Sequence, residues 1–163
     1  MNPAVNTSRW RLERRALLAA TGLACVSHRV WATEPRLPVA TALAEHLNAA
    51  LGKGGPLVVM VSLPGCPFCK VVRESHLAPM HREQGLAVVQ LDLQSRDSVR
   101  DFKGSTVTQA QQIQVWGVRI APTVLFFGRN GVEVAQRLVG AYLPDFYGAY
   151  LDQRLETARK ALA

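Results

Sequence analysis

The feature that most constrains the fold is the run Ser62-Leu63-Pro64-Gly65-Cys66-Pro67-Phe68-Cys69-Lys70, which follows directly on the apolar stretch that begins at Leu57. A buried strand that ends in Cys-x-x-Cys and turns into a helix leaves little freedom of architecture. Pro67 suits the first helical turn, where its missing N–H removes no bond. The first turn of a helix holds unpaired backbone N–H groups and a partial positive charge. A thiolate placed there is stabilised and becomes nucleophilic near neutral pH. Two intervening residues put the second sulfur one turn away, within reach of the first. The pattern therefore points to sulfur chemistry as well as to a strand–helix junction.

Cysteine usage sharpens this reading. The chain of 163 residues has three cysteines, and Cys25 lies in an N-terminal segment that reads as an export signal. Arg14-Arg15 close a basic region, Ala16 to Val26 form an apolar stretch of 11 residues, and Val30-Trp31-Ala32 offers a cleavage point after Ala32. Such a stretch is too short to span a bilayer. The paired arginines are similar to a twin-arginine signal, and Sec export fits as well. Gly22-Leu23-Ala24-Cys25 departs from a lipobox, so no lipid anchor at Cys25 is expected. The expected organisation is a signal over 1–32 and one domain over 33–163. In the mature chain only the neighbouring Cys66 and Cys69 remain. A pair closing so small a loop constrains the unfolded chain little, so it serves chemistry better than stapling.

The formal charge of +7 is unevenly spread, with +4 in residues 1–32 and +3 in the remainder. No basic stripe with interleaved aromatics survives outside the leader, so nucleic acid is not an expected partner.

Along the rest of the chain, Val39, Leu43, Leu47 and Leu51 recur every four residues and predict a helix, stopped by Gly52 to Pro56. Leu57 to Val61 predicts a buried central strand. A helix from Pro67 to about His81 carries Val71, Val72, Leu77 and Met80 toward the core, with a kink expected at Pro79. Leu86 to Leu93 reads as a strand, Gln94 to Thr106 as a surface loop, and Thr108 to Trp116 as a short helix. Two strands, Thr123 to Phe127 and Val132 to Val139, flank the hairpin signal Arg129-Asn130-Gly131. Leu143 to Lys160 is a terminal helix with Tyr147, Leu151 and Leu155 in i, i+4 spacing. The order is α-β-α-β-α-β-β-α, an α/β chain with one parallel crossover and a closing hairpin.

The segment Trp116 to Phe127, with Ala121-Pro122-Thr123 at its centre, followed by Asn130-Gly131 and Val139-Gly140-Ala141, resembles the second half of thioredoxin. With Cys66-Pro67-Phe68-Cys69-Lys70 at the expected distance, the resemblance covers about residues 37–158. It is closest in character to the exported thioredoxin-like proteins of bacteria, including periplasmic ones that serve sulfur oxidation and cytochrome maturation. The resemblance implies a thioredoxin fold: a central mixed four-stranded sheet flanked by helices, here with an extra N-terminal helix. It implies Cys66 as nucleophile and Cys69 as resolving thiol, forming a redox-active disulfide. It implies a cis bond before Pro122 and a substrate backbone held at Ala121-Pro122, with Pro67 and Phe68 on the substrate side. No organic cofactor is implied, because electrons pass only between sulfurs. Implied partners are cysteine-containing exported proteins and a membrane thiol donor in the periplasm.

Departures from the family pattern are specific. Met60 stands where thioredoxin carries a buried acid, six residues before the first cysteine. Gly65 replaces the usual aromatic. The Pro-Phe dipeptide is similar to the glutaredoxin type and lacks the histidine of the strongest periplasmic oxidant, which suggests a potential of roughly −180 to −230 mV. Lys70 and Glu74 are read as solvated helix residues, with help to the resolving thiol through water as the alternative. His46 and His76 are read as surface helix residues, and Trp116 as core or a wall of the groove. Cys66, Cys69, His76 and His81 lack the paired spacing of a zinc site, so no metal is expected.

Overall fold

The computed structural model describes residues 36–141 and 144–163. The expected export signal, with Cys25, lies outside the described residues.

Four strands form the main sheet in the order β2-β1-β5-β6. β1 is Leu57–Ser62, β2 Val88–Asp92, β5 Thr123–Phe127 and β6 Glu133–Val139. β1 runs parallel to β2 and antiparallel to β5, and β5 and β6 form an antiparallel hairpin. Every residue of β1 and of β5 is buried, as central strands covered on both faces require. In the hairpin turn, Asn130 has φ 62° and Gly131 φ 67°. Both turn residues are left-handed, the hand that matches the strand twist.

Alternation along the strands sends side chains to opposite layers. Val58 and Met60 of β1, with Val124 and Phe126 of β5, pack with Cys69, Val72, Tyr147, Leu151 and Leu155. Leu57, Val59 and Val61, with Leu125 and Phe127, pack with Leu43, Leu47 and Ile113 on the other face. The helices thus flank a mixed four-stranded sheet, with an additional helix at the N-terminal side.

That helix, α1, spans Leu43–Gly52, and Val39 is not part of it. Val39 is exposed and extended, and pairs in parallel with Gln90. The Ala40 N–H donates to the Gln90 carbonyl at 3.0 Å and the Gln90 N–H to the Pro38 carbonyl at 2.8 Å. Strand β2 would otherwise expose its outer backbone groups, and the lead-in satisfies them.

The helix after the cysteines has three parts: α2 Pro67–Val71, a π-helical turn Val72–Leu77, and α3 Ala78–Gln84, capped by left-handed Gly85. The disturbance expected at Pro79 falls in the turn before it. A proline cannot donate to the carbonyl four residues back, and its ring crowds that carbonyl. The wider turn absorbs both, and the Ala78 N–H reaches the Arg73 carbonyl five residues back.

The expected loop from Gln94 to Thr106 contains two short strands, β3 Ser98–Arg100 and β4 Thr106–Thr108, paired antiparallel. Val99 is buried and anchors them in the second core layer. Asp101 shapes the turn between them, its Oδ1 accepting the Lys103 and Ser105 N–H groups, each at 2.8 Å. Helix α4, Gln109–Val115, starts on a capping box between Thr108 and Gln111. Helix α5, Pro144–Lys160, buries Tyr147, Leu151 and Leu155 at the expected spacing.

Candidate active site

The site forms where β1 ends. The chain turns through Leu63, Pro64 and Gly65, whose φ of +73° is a conformation that favours glycine. Cys66 is then the extended residue that caps α2, with Pro67 in the first turn. Its Sγ accepts the N–H of Cys69 at 3.1 Å. The two cysteines are joined in a disulfide, with Cα atoms 5.2 Å apart. They differ in access. Cys66 is half-buried, whereas Cys69 is 0% exposed within the first core layer. An incoming disulfide can therefore meet the outer sulfur, while the inner one is reached only through it.

Ala121 and Cys66 both pack against the layer that contains Cys69. The Ala121–Pro122 peptide bond is cis. Its turn is held from two sides: the Thr123 hydroxyl donates to the Ile120 carbonyl at 2.7 Å, and the Gly140 N–H donates to the Pro122 carbonyl at 2.7 Å. Pro67 is exposed, and Phe68 is 56% exposed, so an aromatic ring stands in solvent beside the cysteines. Met60 is fully buried in the same layer as Cys69.

Other singled-out residues lie elsewhere. Trp116 belongs to the opposite face, its ring 4.9 Å from Phe127 and 6.2 Å from Phe102, so it is core and not a groove wall. His76 and His46 are partly exposed on their helices, each with one side of the ring covered. The His76 ring lies 5.2 Å from that of Tyr147. Burial lowers the pKa of His76 against the opposing pull of Asp152. His46 Nε2 accepts the Thr41 N–H at 3.4 Å, and burial lowers its pKa against the pull of Glu45. His81 Nδ1 lies 2.8 Å from the Leu86 carbonyl oxygen.

Two features escape the sequence reading. Tyr147 carries a buried hydroxyl with no hydrogen-bond partner among the described residues, and burial raises its pKa. Beside Cys66 there is also a groove of about 780 Å³, whose wall includes Gly65, Lys70, Arg73, Glu74 and Asp92. Lys70 and Glu74, solvated residues with an alternative role through water in the sequence reading, line this groove. Gly65, singled out in the sequence because it replaces the usual aromatic, lines this groove.

A thioredoxin-like domain model matches residues 43–155. Among solved structures, a thioredoxin from Nicotiana alata, NaTrxh, is similar at 20% identity and a TM-score of 0.48, over 74% of this chain and 96% of that one. The periplasmic thioredoxin SoxS from Paracoccus pantotrophus is similar at 21% identity and a TM-score of 0.42, over 63% and 98%. A thioredoxin-fold protein from Helicobacter pylori is similar at 13% identity and a TM-score of 0.43, over 68% and 83%. No curated protein matches the chain. With the family model matched across the sheet, the cysteine turn and most of α5, the chain belongs to the thioredoxin-like family, and its Cys-x-x-Cys makes it a thiol–disulfide oxidoreductase.

Proposed function

We propose that the protein is an exported reductase that cleaves disulfides of partner proteins in the periplasm. The observation that carries the proposal is the unequal access of the two sulfurs: Cys66 half-buried at the head of α2, Cys69 fully buried behind it. In the reduced protein the Cys66 thiolate attacks one sulfur of the substrate disulfide. That S–S bond breaks, a mixed disulfide forms on Cys66, and the leaving sulfur departs as a thiolate that takes a proton. Cys69, deprotonated, then attacks Cys66. The second substrate thiol leaves reduced, and the protein holds the Cys66–Cys69 disulfide, oxidised by two electrons. Ala121 and Pro122 hold the substrate backbone, and Pro67 and Phe68 contact it. A membrane thiol donor restores the dithiol. Residues 1–32 direct export and are removed.

The direction rests on the Pro-Phe dipeptide, which lacks the histidine of strong oxidants, and on the likeness of Trp116 to Phe127 to thioredoxin itself. Buried Met60 favours a second reading, a disulfide oxidant, because no acid stands there to move the proton of Cys69.

Cys66→Ser abolishes insulin-disulfide reduction, and Cys69→Ser accumulates mixed disulfides with substrates; full activity in the first variant refutes the mechanism. Direction is read by mass-tag alkylation in intact cells. A reductase is found mostly as the dithiol, and a mostly oxidised pair assigns the protein to the oxidant reading. Equilibration against glutathione gives roughly −180 to −230 mV if the dipeptide sets the potential.

A further inference from the structure

The groove beside Cys66 does not include Ala121 or Pro122 in its lining. It approaches the same sulfur from another side. Its floor is apolar, made by Leu37, Val39, Leu63 and Pro64, and its volume of about 780 Å³ lies in the range of built ligand sites. Gly65 lines it without a side chain.

Charge is arranged unequally around this floor. Arg36, Lys70 and Arg73 stand against Glu74 and Asp92. The Asp92 carboxylate already accepts the Gln94 N–H at 2.9 Å. Glu74 also lines the groove, and among the described residues no ion pair joins it to Arg73. The Arg73 guanidinium is fixed by a neutral partner, donating to Gln90 Oε1 on β2 at 2.9 Å. Among the described residues, no ion pair joins Arg36 or Arg73 to a carboxylate. Arg73 is thus a positioned, half-buried cation, with guanidinium donors in excess of its one bond to Gln90.

We infer that this groove is a second substrate subsite, which takes an acidic side chain of the disulfide-bearing polypeptide. The inference rests on the oxidoreductase reading and adds a substrate class to it. Arg73 follows Cys66 by seven positions, or about 10 Å of helical rise. An extended chain covers that distance in about three residues. The acid therefore lies about three residues from the substrate cysteine, with apolar side chains between them on the groove floor.

The test is steady-state reduction of a set of disulfide peptides that differ at that one position, carrying Glu, Gln or Lys, with glutathione disulfide as a small-molecule comparison. The wild-type protein prefers the Glu peptide over the Gln peptide by about fivefold in kcat/KM, mostly through KM, and over the Lys peptide by more. Arg73→Gln abolishes the preference, Arg73→Lys restores part of it, and Arg73→Glu reverses it toward the Lys peptide. Ratios are compared within each variant, and thermal unfolding checks that each is folded. Arg36→Gln, at an exposed position, serves as the second variant and weakens the preference less. Equal kcat/KM for Glu and Lys peptides in the wild type overturns the subsite and leaves the oxidoreductase assignment standing. A dependence on Arg73 seen only with glutathione disulfide overturns the polypeptide assignment. Failure of the folded protein to reduce any disulfide overturns the reading beneath both.

Discussion

The two faces of the four-stranded sheet are packed by different kinds of residue. On the face away from the cysteines, Leu43, Leu47, Val59, Val61 and Ile113 close on an aromatic group in which the Phe127 ring lies 4.9 Å from both Phe102 and Trp116. That layer has regular helices and apolar contacts. On the other face, the same strands meet the cysteine pair, a π-helical turn, the buried thioether of Met60 and the Tyr147 hydroxyl, which has no partner among the described residues. One strand serves both layers, since Val58 and Met60 point to one and Val59 and Val61 to the other. The fold keeps one well-packed face as a support and places its irregularities on the face that carries the chemistry.

A large cavity in the supporting face has the largest expected effect. Phe127→Ala removes the ring that bridges Phe102 and Trp116 and costs about 3–5 kcal/mol of stability. Denaturant unfolding measures the loss. The fraction that remains folded reduces disulfides at the wild-type rate, because the ring faces away from Cys66; a matching fall in kcat/KM of that fraction shows that the two faces are not separable.

Met60→Asp tests the reactive face. A carboxylate buried there without a cationic partner costs about 3 kcal/mol at neutral pH. Burial raises the folded-state pKa of such an acid, so the charge's part of the penalty is absent below the unfolded value of about 3.9 and grows as pH rises through it, while the lost packing of the thioether remains at every pH. The same change accelerates release of the mixed disulfide, measured in single turnovers, if proton transfer from Cys69 limits that step. A variant that loses stability and gains no rate shows that Met60 matters to packing alone.

The sequence made some of this legible and hid the rest for physical reasons. The apolar runs at Leu57 and Thr123 exposed the central strands, because burial on both faces removes polar residues altogether. The turn at Asn130-Gly131 was legible because few residues accept a positive φ. Helix α1 was extended too far, since Val39 keeps the four-residue spacing while its backbone belongs to the edge of β2. Strands β3 and β4 are three residues each, with Val99 as the only fully buried side chain in them, too short for an alternation to emerge. Pro79 announced a break, but the widened turn lies on its N-terminal side. At the site, the cysteines were legible from spacing. The groove was not, because Arg36 of the lead-in, Arg73 of the π-helical turn and Gln90 of β2 are brought together only by folding.

Tyr147 gives a smaller effect of opposite sign. Its hydroxyl is desolvated and finds no partner among the described residues, so the polar atom opposes folding. Tyr147→Phe keeps the ring beside His76 and raises stability by about 1 kcal/mol. The contrast with Phe127→Ala is in sign as well as size, since one face loses by truncation and the other gains. A fall in the denaturation midpoint on replacement shows that the hydroxyl has a partner after all.

The smallest effect separates the two faces by pH. His76 packs on Tyr147 of the reactive face, with Asp152 as the nearby carboxylate, and His46 lies on α1 of the supporting face beside Glu45. Burial lowers both folded-state pKa values from the ordinary 6.5, and the carboxylates offset only part of it. The unfolded chain therefore takes up protons first as the solution is acidified. Stability is at its full value above the unfolded pKa and falls as pH drops through it toward the lower folded values. Both rings keep contact with solvent, so screening keeps the loss small. Urea midpoints at about pH 7.5 and about pH 5 measure it. His76→Gln and His46→Gln each remove part of the difference, and the double variant removes most of it. If His46→Gln alone flattens the profile, the reactive face contributes nothing to acid sensitivity, and the contact between His76 and Tyr147 is a packing contact without electrostatic consequence.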